Sequence, residues 1–283
     1  MNLKEILSAF NQQLKDIYDQ QEILFIFYVT AEEVTGLQRS RLLILQDISV
    51  DDNQIQEFFN IADKLKLGIP LQYVLGSCLF YGIKLNVNPS VLIPRPETEE
   101  LVQWILEDEK SQPAESTKSI LDIGTGSGCI AIALKLNRPQ YTVSALDVSE
   151  KALEIATRNA KENKADISFI FADIRNYNTL EKFDIIVSNP PYITFSEKVD
   201  MHENVLDNEP HLALFVKNEY PLEFYESIAK FAIQALNPEG LLYFEINESF
   251  GDEMVSMLRT LSFKKVRLRK DMQGKDRMIS CKL

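Results

Sequence analysis

Ile120-Leu121-Asp122-Ile123-Gly124-Thr125-Gly126-Ser127-Gly128 runs from a short apolar stretch into three alternating glycines, and Cys129 to Leu136 continues it with an apolar pattern of helical length. The parts predict a strand over Ile120–Ile123, a tight turn, and a helix over Cys129–Leu136. Glycines at such a turn let the backbone take dihedrals closed to other residues and approach a ligand closely. A strand feeding a helix in this way opens a doubly wound α/β sheet, whose ligands bind beyond the carboxyl ends of the strands, near the switch point.

Outward from this unit, strand and helix patterns alternate to the end of the chain. Further strands are expected at Thr142–Leu146, Ile167–Phe171, Phe183–Val187, Leu241–Ile246, Lys264–Arg269 and Met278–Lys282. The intervening helices are a Ser149-capped segment, Leu222–Ala235 and Ser249–Leu261. Seven strands with mostly helical crossovers imply an open, largely parallel sheet. Too few residues join the last two strands for a parallel crossover, so that pair is expected to be antiparallel. The basic run Lys264 to Lys270 alternates with apolar residues and reads as a strand with one solvated face.

The glycine spacing is G-x-G-x-G, and the dinucleotide fingerprint would want glycine where Cys129 stands. The turn Gly124, Thr125, Gly126, Ser127, Gly128 therefore favours S-adenosylmethionine over a nicotinamide cofactor. Asp147, ending the second strand, is placed to accept both ribose hydroxyls. Asp173, after the third, is placed to accept from an adenine amino group, with Ile174 packing on the ring. Ordinary strand-end aspartates are the bland alternative for both.

The next strand ends in Asn189-Pro190-Pro191-Tyr192. Proline has a carbonyl but no N–H. The loop therefore offers the Asn189 side-chain oxygen and the Pro190 carbonyl as acceptors with few competing donors. That surface suits an –NH2 group held by its hydrogens, with Pro191 stiffening the loop and Tyr192 packing against a planar acceptor. An amide nitrogen is a poor nucleophile because its lone pair is delocalised. Two oriented acceptors align that pair, so catalysis would rest on positioning and preorganised electrostatics, without a covalent intermediate or an obligatory base. Amino-group methyl transfer is the chemistry the two motifs share; a packed Asn-Pro turn is the structural alternative.

The rest of the composition narrows the field. At 283 residues, 45% apolar and 25% charged, the chain suits a soluble globular protein with room for two domains. A net charge of −12 argues against an extended nucleic-acid footprint. Cys78, Cys129 and Cys281 are widely spaced, which fits a reducing compartment and offers no zinc or disulfide framework. Met1 to Phe10 lacks a signal-peptide core, and the apolar run Ile23 to Val29 is too short to span a bilayer. A cytoplasmic monomer free of membrane is the expectation. No metal site is expected from His202 and His211.

The first seventy residues read as helical. Leu3, Ile6, Leu7, Phe10, Leu14 and Ile17 form one apolar stripe. Asp51-Asp52 caps a helix carrying Ile55, Phe58, Phe59, Ala62 and Leu65, stopped by Gly68 and Pro70. One or two more helices are expected between Ala31 and Leu45. Leu79–Val87 and Val91–Ile93, separated by Asn88-Pro89-Ser90, read as a β-hairpin. Pro94-Arg95-Pro96 leads into a helix bearing Leu101, Val102, Ile105 and Leu106, and Glu107 to Ser119, with Pro113, reads as a solvated loop.

The chain resembles the HemK/PrmC family, the peptide chain release factor glutamine N5-methyltransferases. The likeness is carried by Pro70-Leu71-Gln72-Tyr73-Val74-Leu75-Gly76, Val91-Leu92-Ile93-Pro94-Arg95-Pro96-Glu97-Thr98-Glu99, Asn189-Pro190-Pro191-Tyr192-Ile193, Glu209-Pro210 with Ala213-Leu214, and Asp271 with Gly274 and Arg277. It implies a seven-stranded, Rossmann-like, S-adenosylmethionine-dependent methyltransferase sheet with a small N-terminal helical domain. The implied division is a substrate-recognition domain at 1–75, a β-hairpin linker at 76–95 and a methyltransferase domain at 96–283. The implied reaction, part of translation termination, methylates the glutamine of the Gly-Gly-Gln motif in class-1 release factors. The resemblance assigns Gly124 to Gly128, Asp147, Ile174 and Asn189 to the cofactor and Asn189 to Tyr192 to the substrate. Phe215 to Leu222 departs from the family's Gly-rich pattern and reads as a variable loop on the substrate side. A ribosomal-protein glutamine and adenine N6 in DNA are the alternative acceptors. The second would call for a target-recognition region and a basic groove. The glycine spacing disfavours a nicotinamide oxidoreductase, and a serine hydrolase does not fit because Ser127 is not in G-x-S-x-G. A non-catalytic protein that keeps the cofactor fold would bind without transferring.

Overall fold

The computed structural model describes residues 1–44, 47–111 and 116–283. Leu45, in the second helical expectation, and Pro113, in the polar loop, lie outside them. The chain divides into one unit of residues 1–77 with 202–208 and another of residues 78–201 with 209–283.

The smaller unit is helical. Helix α1 (Leu3–Leu14) opens with a capping box in which Asn2 and Glu5 bond each other's backbone. It buries Leu3, Ile6, Phe10 and Leu14. Ile17, counted in the same stripe, lies past the helix end and is 49% exposed. Asp19 starts a new capping box two residues on, so α2 spans Gln20–Thr35. The apolar run at Ile23–Val29 is thus the core of a helix that begins well before Ala31, and α3 (Arg39–Ile44) follows it. Helix α4 (Asp52–Lys66) is capped by Asp51 as its sequence suggests, and α5 (Leu71–Leu75) closes on Gly76 in the left-handed region. Phe10, Phe27, Phe58 and Leu65 meet in one core.

The hairpin differs from its sequence reading. Strands β1 (Ser77–Phe80) and β2 (Ile83–Asn86) turn at Tyr81-Gly82, where φ is 50° and 75°, rather than at Asn88-Pro89-Ser90. Two consecutive positive φ values match the strand twist, and Gly82 takes the second without cost. Val91 and Ile93 are buried but belong to no strand. Helix α6 (Pro96–Asp108) then buries Leu101, Val102, Ile105 and Leu106.

Seven strands form the main sheet: β3 (Ser119–Ile123), β4 (Thr142–Asp147), β5 (Ser168–Phe171), β6 (Phe183–Ser188), β9 (Leu236–Glu245), β10 (Lys264–Lys270) and β11 (Asp276–Lys282). Their order is β10-β11-β9-β6-β3-β4-β5. The strands from β5 across to β9 are parallel, whereas β11 runs antiparallel to both β9 and β10. Side chains alternate between the faces. Ile120, Val143, Ile185 and Tyr243 pack on one side with α6, α7 (Cys129–Asn137) and α8 (Glu150–Glu162). Leu121, Leu146, Ile186 and Phe244 pack on the other with α11 (Glu223–Ala235) and α12 (Gly251–Thr260). The loop after β6 holds β7 (Ile193–Thr194), parallel to β8 (Phe215–Val216), with α9 (Glu203–Asn208) and α10 (His211–Leu214) between them in sequence. Phe215 and Val216 are therefore a buried strand rather than the start of an open loop.

The chain leaves β3 towards β4 and β5 and returns to the other side of β3 as β6. That reversal makes β3/β6 the switch point, where a crevice opens between diverging connections.

Candidate functional site

Register places the key residues in one row. Ile123 pairs with Leu146 on one side and Ser188 on the other, and Ser188 pairs with Phe244. One residue further along each strand stand Asp147, Gly124, Asn189 and Glu245. The row crosses the switch point, and a cavity opens above it. Its wall includes Gly124, Thr125, Gly126, Ser127, Asp147, Asp173, Ile174, Asn189, Pro190 and Pro191. Gly128 and Tyr192 are not on that wall.

The glycine turn is built from backbone. Gly124, Gly126 and Gly128 have φ of 72°, 54° and 82°. A Cβ on Gly124 or Gly126 would meet nothing within 4 Å, so both leave room on the cavity side. A Cβ on Gly128 would lie 3.2 Å from Ala156 Cβ and from Ile132 Cδ1, so this glycine allows α7 and α8 to approach. The Gly124 and Thr125 N–H groups donate to the Leu146 carbonyl at 2.8 and 3.0 Å. Thr125 Oγ1 donates to Asp122 Oδ2 at 2.6 Å. Asp122 is fully buried, and burial pushes its carboxyl up to about 7 against that bond. Asn159 of α8, also fully buried, donates to the Ser127 carbonyl at 2.9 Å and accepts from the Asn86 backbone at 2.7 Å.

Asp147 is 8% exposed. Its Oδ2 accepts from Gly126 N–H at 2.8 Å and its Oδ1 from Ser149 N–H at 2.9 Å. Burial raises its pKa while these backbone donors oppose the rise. Each oxygen keeps lone-pair capacity for a further donor. Asp173 stands otherwise: Arg175 Nε and Nη2 engage both its oxygens, at 3.0, 3.1 and 2.6 Å, and hold its carboxyl below the usual range. Ile174 is buried.

The tetrapeptide is held from three directions. Asn189 Nδ2 donates to Thr98 Oγ1 at 3.1 Å. Tyr192 donates its hydroxyl to Glu245 Oε1 at 3.2 Å, and Asn247 Nδ2 donates to the Tyr192 carbonyl at 3.2 Å. Thr98 Oγ1 donates in turn to Glu245 Oε2 at 2.6 Å. Glu245 is 1% exposed, and burial pushes its carboxyl up to about 7, against the bonds from Thr98 and Tyr192. The Tyr192 side chain, which sequence reasoning set against the acceptor, packs on the core beside α11 and α12 with its hydroxyl at this carboxylate.

The segment Ser90, Val91, Leu92, Pro94, Arg95 and Thr98 also lines the cavity. Glu209, 4% exposed, pairs with Arg95 Nη2 and accepts from Ile93 N–H at 3.2 Å, which ties Pro210, Leu212 and Ala213 to the same wall. Arg95, Thr98 and Glu209 stand in the motifs that carry the family resemblance but had no role assigned there, and Glu245 stands outside those motifs. The available signals were a carboxylate at the end of an otherwise apolar strand, Leu241–Ile246, and a lone threonine among the glutamates of α6.

The sheet order, the antiparallel final pair and the glycine turn at the switch point define a methyltransferase fold. A methyltransferase solved from Pyrococcus furiosus shares it, with a TM-score of 0.53 at 18% identity over 82% of this chain and 98% of that one. Residues 102–214 match the methyltransferase small domain and residues 5–76 the PrmC N-terminal domain. A release factor glutamine methyltransferase of Flavobacterium psychrophilum is 45% identical across 99% of this chain and 98% of its own length. One from Bacteroides thetaiotaomicron is 41% identical across 98% and 99%. The chain belongs to the release factor glutamine methyltransferase family. Among the described residues, no helix is long and apolar enough to cross a membrane.

Proposed function

We propose that this protein transfers a methyl group from S-adenosylmethionine to the side-chain amide nitrogen of the glutamine in the Gly-Gly-Gln motif of class-1 release factors. The observation that carries the reading is the orientation of Asn189. Its –NH2 is occupied by Thr98, so its carbonyl oxygen is the group left for the cavity, one strand from the glycine turn.

The residues fit the cofactor. Gly124 and Gly126 leave open space above the turn, Asp147 has lone pairs for two hydroxyls, and Ile174 offers an apolar wall for a ring. Asp173 would receive an adenine amino group only on lone pairs that Arg175 does not use. S-adenosylmethionine supplies, when bound, a methyl group on a positively charged sulfur.

The chain's own part is to orient the acceptor. Asn189 Oδ1 and the Pro190 carbonyl accept the two hydrogens of the glutamine –NH2 and turn its lone pair along one line. Pro191 fixes the loop, and Tyr192 anchors it from beneath through Glu245. A protonated amide is a strong acid, so water takes the released proton and no buried base is called for. The helical residues 5–76 are proposed to help hold the release factor, and the reaction is assigned to the cytoplasm, where free thiols persist.

The test is incubation of the protein with a purified class-1 release factor and methyl-labelled S-adenosylmethionine, followed by peptide mapping. One methyl on the Gly-Gly-Gln glutamine is expected. Label confined to a ribosomal protein or to DNA adenine in parallel reactions would overturn the acceptor assignment.

A further inference from the structure

We propose that Thr98 and Glu245 are positioning residues: Glu245 sets the direction of a hydrogen-bond relay that makes the Asn189 carboxamide present its oxygen, and not its –NH2, to the acceptor. The inference rests on the proposed role of Asn189 and concerns how that role is enforced.

A carboxamide is nearly symmetric in shape, and a half-turn about its last bond exchanges an acceptor for a donor. Exchanged, Asn189 would face the substrate –NH2 with a second –NH2. Packing does not discriminate between the two; hydrogen bonding does. Thr98 has one proton on Oγ1, and at 2.6 Å that proton goes to Glu245 Oε2. Only lone pairs then remain for Asn189, which must answer with Nδ2, as it does at 3.1 Å. The relay runs Asn189 to Thr98 to Glu245, and every member is a donor to the next.

The ionised carboxylate is what fixes this direction. Both its oxygens are then acceptors, one for Thr98 of α6, which holds Asn189, and one for Tyr192 at the other end of the tetrapeptide. A neutral carboxyl has one donor and one acceptor arm. If its proton lies on the Thr98 side, the threonine hydroxyl turns to donate to Asn189 and the carboxamide reverses. The groups facing Glu245 come from four elements: Thr98 and Glu97 of α6, Tyr192 of the loop after β6, Arg277 of β11, and Tyr225 of α11, whose hydroxyl bonds the Glu245 carbonyl at 3.1 Å. Burial raises the Glu245 carboxyl to about 7, so both forms are populated in the working range.

Turnover at saturating cofactor, cofactor affinity and the pH dependence of turnover test the relay in the full-length protein. Thr98→Val keeps the shape without the hydroxyl and is expected to lower turnover roughly ten- to hundredfold, with cofactor affinity within about threefold of wild type. Thr98→Ser restores most of the rate. Wild-type turnover falls as pH drops through about 7, whereas Glu245→Gln, which has one donor and one acceptor arm at every pH, is slow and lacks that limb. Independently of any acceptor, the Asn189 side-chain –NH2 resonance, assigned by its loss in Asn189→Asp, moves with the same midpoint and ceases to do so in Thr98→Val. Wild-type turnover in Thr98→Val, equal failure of the valine and serine variants, an unchanged acid limb in Glu245→Gln, or a pH-insensitive Asn189 resonance would each overturn the relay. Failure of wild type to methylate a release factor would count against the acceptor assignment instead, and the resonance would still decide the relay.

Discussion

The two halves of the site are built by different means. The side proposed for the cofactor is mostly local: Gly124 to Gly128 form one turn, and Asp147 joins it through the backbone N–H of Gly126 and Ser149. The acceptor side draws on side chains far apart in sequence: Thr98 on α6, Asn189 after β6, Glu245 on β9 and Asn247 just beyond it. Backbone donors carry most of the first half, with the buried Thr125–Asp122 and Asn159–Ser127 bonds as its side-chain supports. The second half depends on the donor and acceptor identity of each member. A change at any one reverses or releases the others.

Variants on the two sides are therefore expected to fail differently. The largest effect is expected from Asn189→Ala, which removes an oriented acceptor. By analogy with the loss of one preorganised donor, turnover should fall about 10²–10³-fold in steady-state assays. Turnover near wild type would take Asn189 out of the reaction.

Next comes stability. The Glu245 carboxyl has a folded pKa near 7 against 4.5 for an ordinary glutamate. Between those values the unfolded chain has lost the proton and the folded chain has kept it, so rising pH favours unfolding until about 7 and has no further effect above it. Glu245→Gln has no such penalty. Urea denaturation at about pH 5 and about pH 8 should show wild type losing up to about 3 kcal/mol relative to the variant. A pH-independent difference would mean that the carboxylate is ionised throughout. Asp122, shifted up in the same way, is present in both proteins and cancels.

The smallest effect belongs to the cofactor side. Asp147→Ala removes two acceptor oxygens from the cavity wall, and the S-adenosylmethionine dissociation constant should rise about tenfold by calorimetry. Turnover at saturating cofactor should stay close to wild type. An unchanged dissociation constant would remove Asp147 from the site.

The same division explains what could be read from sequence. The sheet was legible because its strands carry apolar runs of their own and the helices between them show apolar patterns of helical length, with a Ser149 cap on α8. The antiparallel last pair followed from the short link between Arg269 and Met278. Local signals misled where two punctuation points competed. Asn88-Pro89-Ser90 looks more like a turn than Tyr81-Gly82, yet the latter makes the hairpin, because positive φ at both positions fits the strand twist. Helix α2 was placed too late because its run at Ile23–Val29 is apolar on nearly every face, which blurs helical period. The glycine turn and the tetrapeptide are contiguous and announce themselves. The pairing of Thr98, itself inside the Val91–Glu99 motif, with Glu245 does not, since no spacing rule links a helix threonine to a strand glutamate 147 residues away.

The most direct test of the division is the affinity of Asn189→Ala for S-adenosylmethionine, measured by calorimetry beside its turnover. The account predicts a dissociation constant within roughly tenfold of wild type while turnover is down about 10²–10³-fold. A loss of affinity as large as the loss of turnover would contradict it, and would make the Asn189 loop part of the cofactor cradle rather than the device that orients the acceptor.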